Sequence, residues 1–404
     1  MLWQVGDFHK ECPCKGIVEQ KGENYCLDKP TINKSNDSKC LSTSPTKDSQ
    51  NINNESEKKS LSEKKANDSE SNPEIKQHET KTNDEFLMNL KKINCKNLEY
   101  FEILEKIGKG AESYVYKSYG KKNKRAYALK IILKKKVPNI HNELKLLNKL
   151  KHKNLINYFG SFEIKKDEYD CIVMNHGKFG NLIEFQNNLI NKNYLSESLL
   201  CFISYQILCG LSHLNKCKIC HYDIKPQNII VEDTLNLQII DYSISEDYSA
   251  LNSQQIKLKF RGTSFYMAPE VLRTDCIDIE DISKVDLYSF GVVLYYFAFG
   301  YFPFDLKNED IKKYEVIYQK IMKDLIIDNE DNYYSPHFID FLKRLLEKDI
   351  KKRISINEAL NHYWIKGAQI LLDEKEQLFN ASTFLSYLVT DHIKNFDDYI
   401  KKQI

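Results

Sequence analysis

A surplus of one charge is missing from this chain of 404 residues: 59 Lys and Arg stand against 57 Asp and Glu, for a formal net charge of +2. No global field then draws it to nucleic acid or to an anionic membrane. A secretory leader is not visible either, because Met1-Leu2-Trp3-Gln4-Val5-Gly6-Asp7 has neither a basic start nor an apolar stretch. The eleven cysteines are an odd number without regular spacing, and six of them lie between residues 171 and 276. That usage fits reduced thiols and a cytoplasmic or nuclear protein. One run, Leu287 to Phe304, is apolar enough to raise a membrane span, but Asp286 heads it, Gly291 and Gly300 interrupt it and Pro303 stands near its end. A helix that is apolar on every face reads instead as the buried centre of a globular domain.

Apolar residues are scarcest near the start. Residues 41 to 80 hold only Leu41, Ile52, Leu61, Ala66 and Ile75, and no aromatic. Such a stretch cannot bury enough surface to offset the entropy of ordering it, so residues 28 to 92 are expected to be disordered. Ser44-Pro45 and the neighbouring serines are possible phosphorylation sites on what otherwise reads as a solvated tether. Residues 1 to 27 are less polar, with Trp3 and Phe8. His9, Cys12, Cys14 and Cys26 fit no zinc pattern, and a short docking motif for a partner protein is the better functional reading. The division expected is a low-complexity, mostly disordered extension over 1–96, a folded domain over 97–366 and a helical extension over 367–404. In the last, Leu371, Leu372, Phe379, Phe384, Leu388, Ile393, Phe396 and Ile400 recur at helical spacings and should pack on the domain.

What is present is concentrated in His221-Tyr222-Asp223-Ile224-Lys225-Pro226-Gln227-Asn228, followed thirteen residues later by Asp241. Phosphoryl transfer needs a carboxylate to orient the attacking hydroxyl and oxygen ligands for Mg²⁺. Asp223 suits the first task, Asn228 and Asp241 the second. Ile229-Ile230-Val231 and Leu237-Gln238-Ile239-Ile240, joined through a polar turn, read as a hairpin that returns Asp241 to the side of Asn228. Upstream, an alternating strand pattern runs into Gly108-Lys109-Gly110 and continues as a second strand through Tyr114-Val115-Tyr116.

Together with Tyr127-Ala128-Leu129-Lys130 and Gly262-Thr263-Ser264-Phe265-Tyr266-Met267-Ala268-Pro269-Glu270, these motifs resemble the eukaryotic protein kinases, over roughly residues 101 to 366. Lys225, two residues after Asp223, is the pattern of the serine/threonine branch. The resemblance implies an α+β, two-lobed fold, with a mostly-β small lobe over 97–174 and a mostly-α large lobe over 175–366. ATP would lie between the lobes. Gly108, Lys109 and Gly110 would form the loop over the phosphates, and Val115 and Ala128 would enclose the adenine. Met174 would limit the depth of that pocket, and the backbone of Asn175 and Gly177 would bond the adenine edge, with His176 facing solvent. Lys130 would hold the α- and β-phosphates, fixed by Glu143 on a helix for which Pro138 is a suitable start. Thr263 should bond near Asp223 and Lys225, Asp286 should anchor the catalytic loop, and Arg353 should pair with Glu270. The cofactors implied are ATP and Mg²⁺, and the partners are protein substrates.

Three motifs depart from the family pattern. Ser113 stands for the third glycine and should stiffen the loop. Tyr222 replaces the Arg that ordinarily meets a phosphate on the activation segment, so control by loop phosphorylation should be weak, although Lys257, Lys259 and Arg261 could receive a phosphate on Ser253 or a neighbour. Asp241-Tyr242-Ser243 replaces Asp-Phe-Gly: Tyr242 should stack near His221 and Leu147 with its hydroxyl in need of a partner, and Ser243 should make flipping of Asp241 more costly. Neutral Asn181 and Gln227, at positions where carboxylates often select upstream arginines, imply no strong preference of that kind. The leading expectation is an active serine/threonine kinase, the alternative a pseudokinase scaffold that organises partner proteins.

Overall fold

The computed structural model describes residues 96–110, 112–134, 140–166, 168–189, 195–304, 314–323, 325, 327, 333–377 and 385. The expectations for residues 1–92, for Pro138 and for the positions from Phe379 onward, Phe384 included, lie outside the described residues.

Residues 101 to 175 form five antiparallel strands, β1 (Phe101–Lys109), β2 (Ser113–Gly120), β3 (Ala126–Leu133), β4 (Tyr158–Lys165) and β5 (Tyr169–Asn175), in the order β1-β2-β3-β5-β4, with β3 and β5 in the middle almost wholly buried. The aromatic residues of this sheet pack against one another: Phe101 meets Tyr127 edge-on at 5.6 Å and stacks on Phe162 at 6.4 Å. Between β3 and β4 runs helix α1 (Ile140–Lys149), which carries Glu143 in its first turn. Its Leu146 and Leu147 are buried, and Leu150 just past its end is buried too, one turn after Leu146.

Beyond the strands the chain is mostly helical, with α2 (Leu182–Leu189), α3 (Glu197–Lys216), α4 (Pro269–Arg273), α5 (Ile282–Phe299), α6 (Tyr314–Ile321), α7 (Pro336–Leu345), α8 (Ile356–Asn361) and α9 (Tyr363–Gln377). Helix α5 is the apolar run noted above, and it ends at Gly300, whose φ of 77° suits a glycine cap. Most of this run is buried inside the domain, as a central helix would be, and it is the one helix among the described residues long and apolar enough to cross a membrane. Glu197, at the start of α3, accepts from Ser335 N at 2.8 Å and from the indole of Trp364 at 2.8 Å, joining three helices at one carboxylate. Helix α9 runs through residue 366 without a break, and Ala368 and Leu371 are fully buried.

Short strands complete the large lobe. Ile229–Val231 (β7) pairs with Leu237–Ile239 (β8), in register Ile229 to Ile239, which is the hairpin the apolar runs predict. Ile219–Cys220 (β6) pairs with Glu246–Asp247 (β9), and Gln255–Lys257 (β10) with Cys276–Asp278 (β11). Cys201, Cys209, Cys217, Cys220 and Cys276 are free thiols.

Candidate active site

The hairpin β7–β8 brings Asn228 and Asp241 to the same place, since Ile240 N donates to Asn228 O at 2.9 Å. Asn228 spends both amide hydrogens on Asp223: Nδ2 lies 2.8 Å from the Asp223 carbonyl and 2.9 Å from its Oδ2. Its side-chain carbonyl oxygen therefore faces away from Asp223. The Asp223 carboxylate is further held by Lys225 Nζ at 2.7 Å, by Thr263 Oγ1 at 2.7 Å and by Thr263 N at 3.0 Å. Lys225 also reaches Thr263 Oγ1 at 2.9 Å. Four contacts thus hold one carboxylate in place from two distant segments.

The loop that carries Asp223 is anchored from below. Asp286 on α5 accepts from His221 N at 2.8 Å and from Tyr222 N at 2.9 Å. Burial pushes its carboxyl up, opposed by His221 and by these two amides. Tyr222 has a φ of 67°, and its carbonyl lies so close to Gly262 that a Cβ there would come within 2.3 Å. Gly262 itself has a φ of 106°, so no larger residue suits that position.

Lys130, on β3, meets Glu143 Oε1 at 2.6 Å and Asp241 Oδ1 at 2.8 Å. The ion pair expected with Glu143 is formed, although the helix that carries it is described only from Ile140 onward. Burial alone would lower the Lys130 ammonium, but the two carboxylates outweigh it and raise its pKa above the usual range. Burial would likewise raise Asp241; the Lys130 charge and a hydrogen bond from Ser243 hold it well below the ordinary carboxylate range.

Tyr242 is fully buried, edge-on to His221 at 5.1 Å, and shares the core with Leu147. Its hydroxyl donates to Ile239 O at 3.2 Å, the partner its burial demands. Lys109 and Gly110 close the β1–β2 turn, where Gly110 N donates to Ser113 O at 2.8 Å. Val115 pairs with Gly108 on one side and Lys130 on the other, and Ala128 pairs with Met174. Strand pairing therefore places Gly108, Val115, Ala128, Lys130 and Met174 on neighbouring strands.

Strand β5 continues one residue into the connecting segment. The amide of Asn175 is taken by Asn157 O at 3.0 Å, and the carbonyl of Gly177 accepts from Gly180 N at 3.1 Å. The Asn175 side chain, which no sequence motif marks, bonds Gln238 at 3.2 Å and also Glu232, tying the connection to β8. His176 is half-buried and its imidazole is pushed down by burial. Asn181 caps α2, accepting from Ile183 N at 3.0 Å, while Glu184 returns to Asn181 N at 3.0 Å. Far from the reacting groups, Arg353 pairs with Glu270 as expected, at 2.7 and 3.0 Å.

A five-stranded antiparallel sheet with one helix, followed by a mostly helical part, is the architecture of a protein kinase domain. The protein kinase domain model matches residues 101–365, and the chain belongs to the protein kinase family. It is 33 % identical over 316 residues to Calcium-dependent protein kinase 3 of Plasmodium yoelii yoelii, covering 76 % of this chain and 54 % of that protein. It is 29 % identical over 279 residues to Aurora kinase of Encephalitozoon cuniculi (strain GB-M1), covering 66 % of this chain and 94 % of the relative. Serine/threonine-protein kinase pakH of Dictyostelium discoideum is 29 % identical over 272 residues, covering 67 % of this chain and 50 % of pakH. The match spans about half the length of the Plasmodium relative.

Proposed function

We propose that the chain transfers the γ-phosphate of Mg-ATP to serine and threonine hydroxyls of protein substrates. The observation that carries this reading is that Asp223, Lys225, Asn228 and Thr263 form one hydrogen-bonded cluster, while Lys130, Glu143 and Asp241 form another. Asp223 orients the target hydroxyl and accepts its proton, with Lys225 beside the transferring group to offset charge. Lys130 holds the ATP phosphates and Glu143 fixes Lys130. The outward carbonyl of Asn228 and the ionised carboxylate of Asp241 are hard oxygen donors, and two of them with phosphate oxygens and water suit Mg²⁺. Held by these two oxygens, Mg²⁺ would supply positive charge to offset that of the phosphates.

The adenine would lie between Val115 and Ala128 on one side and Met174 at the back. With its amide engaged, Asn175 offers its carbonyl to the adenine edge, and Gly177, whose carbonyl is engaged, offers its amide. Gly108, Lys109 and Gly110 cover the phosphates. Glu184 is committed to the cap of α2, and Asn181 and Gln227 are neutral, which supports the reading that upstream arginines are not strongly selected. We further assign the protein to the cytoplasm or nucleus, and a partner-docking role to the extension over 1–96.

Activity is proposed to be independent of phosphate on the activation segment, since Tyr222 cannot receive one as an arginine would. The scaffold alternative draws on Ser113, Tyr222 and Ser243, none of which removes a reacting group. Transfer of labelled γ-phosphate to Ser, Thr and Tyr peptides, comparing the unaltered chain with Asp223→Asn, separates the two. Transfer to Ser and Thr that is lost in the variant supports the kinase; its absence in both supports the scaffold.

A further inference from the structure

Residues 245–248, built around β9, contact the small lobe on one side and the catalytic loop on the other, where Ser245 Oγ also donates to His221 O at 3.2 Å. Towards the small lobe, the Ser245 carbonyl accepts from Asn142 Nδ2 at 3.2 Å and Asp247 pairs with Lys149 Nζ at 3.0 Å. Both ends of α1, which carries Glu143, are tied to this short strand. Towards the catalytic loop, the Tyr248 hydroxyl bonds the Tyr222 hydroxyl and lies 3.1 Å from Glu246 Oε2. Glu246 Oε2 also receives Arg261 Nη2 at 2.9 Å, and its Oε1 receives Lys259 Nζ at 3.3 Å. Arg261 lies over the Tyr222 ring at 5.0 Å and donates to Ile244 O at 3.1 Å.

Two of the three cations that might have awaited a phosphate therefore already have a carboxylate. The residues after Arg261 are Gly262, pressed on the Tyr222 carbonyl, and Thr263, on the carboxylate of Asp223. We propose that Glu246 is a positioning residue, an internal counter-charge that draws Arg261 inward and so seats Thr263 on Asp223 without an added phosphate. Tyr222 completes the arrangement, because a neutral phenol shared with Tyr248 and covered by a guanidinium needs no anion of its own. Loss of this half-buried ion pair leaves Arg261 to swing out, and the segment through Thr263 with it. The proposal deepens the kinase reading and, for its rate, rests on it.

The test uses the full chain, treated with phosphatase and checked for bound phosphate by mass, in unaltered form and as Glu246→Gln and Glu246→Asp. Peptide phosphorylation at varied ATP is paired with amide hydrogen exchange over 255–263. Loss of a charged hydrogen-bond acceptor should lower kcat about tenfold or more in Glu246→Gln, with KM for ATP within about threefold, and speed exchange over 255–263 by a similar factor. Glu246→Asp should recover most of both, and exchange in α3 should stay unchanged in all three, which shows that the domain is folded. An unaltered rate and unaltered exchange in Glu246→Gln overturns the proposal, as does loss of transfer by the phosphatase-treated unaltered chain after active transfer before treatment. If the unaltered chain transfers no phosphate under any condition, the kinase reading fails, and the exchange comparison alone decides whether Glu246 seats the segment.

Discussion

Arg353 grips Glu270 through two parallel hydrogen bonds of 2.7 and 3.0 Å, although the two are 83 residues apart in the chain. Arg353 is 1 % exposed and Glu270 4 %. The guanidinium also donates to the carbonyls of Glu347 at 2.7 Å and Lys284 at 2.9 Å, and faces the Tyr288 ring at 4.8 Å. One residue thus joins the end of the activation segment to α5 and to the turn before α8. Removing one member leaves a buried charge without its partner, which costs about 3–5 kcal/mol. Arg353→Ala should lower unfolding free energy by that amount in urea titration, and Arg353→Lys should recover only part, since an ammonium cannot make the two-pronged contact.

The Lys130–Glu143 pair should separate binding from chemistry. Glu143→Gln keeps the shape of the site but weakens the hold on Lys130, so kcat should fall about tenfold or more while the domain still folds. Lys130→Met should lose more, because the phosphate-facing charge itself goes. Mg-ATP should raise the melting temperature of the unaltered chain by mass action, and the rise should shrink in both variants.

A pH effect is expected at His152. Burial first, then the neighbouring His213 and lysines, push its imidazole down to about 4, from about 6.5 in an unfolded chain. Its Nδ1 accepts from Asn154 N at 3.1 Å, a bond that protonation destroys. Between these values the unfolded chain binds the extra proton, so this contribution to stability is complete above about pH 6.5 and declines as the pH falls towards 4. The melting temperature should drop from pH 6.5 to pH 5, and His152→Asn, which keeps an acceptor, should flatten that slope.

Gly262 should tolerate nothing larger. Alanine would place a methyl group 2.3 Å from the Tyr222 carbonyl at a φ of 106°, a conformation that costs about 1–3 kcal/mol before any clash is relieved. Because the backbone must shift, Thr263 should leave Asp223. Gly262→Ala should therefore lose peptide phosphorylation by a larger factor than it lowers stability in urea.

The candidate catalytic centre was legible in the sequence wherever several polar groups fall within a short motif. Asp223, Lys225 and Asn228 lie within six residues, and the apolar runs after them predict the hairpin that returns Asp241. A buried tyrosine at 242 could be foreseen to need a partner, but only folding reveals the Ile239 carbonyl as that partner. The cluster of Glu246, Tyr248 and Arg261 around Tyr222 was hidden, since isolated charges in a loop have no periodicity and their partners stand 13 to 26 residues away in the chain. The Asn175 side chain was missed for the same reason, with its bonds to Glu232 and Gln238 spanning 57 and 63 residues.

The uninterrupted passage of α9 through residue 366 bears on how this chain can be shortened. A cut at the end of the family match, residue 365, would fall just after Trp364, whose indole is held by Glu197 and whose carbonyl accepts from Cys201 Sγ at 3.2 Å. It would strip Ala368 and Leu371 from the side of α3 and leave an apolar scar where they sat. A trimmed protein that ends there should be prone to clump, whereas one that ends after residue 377 should keep that flank sealed.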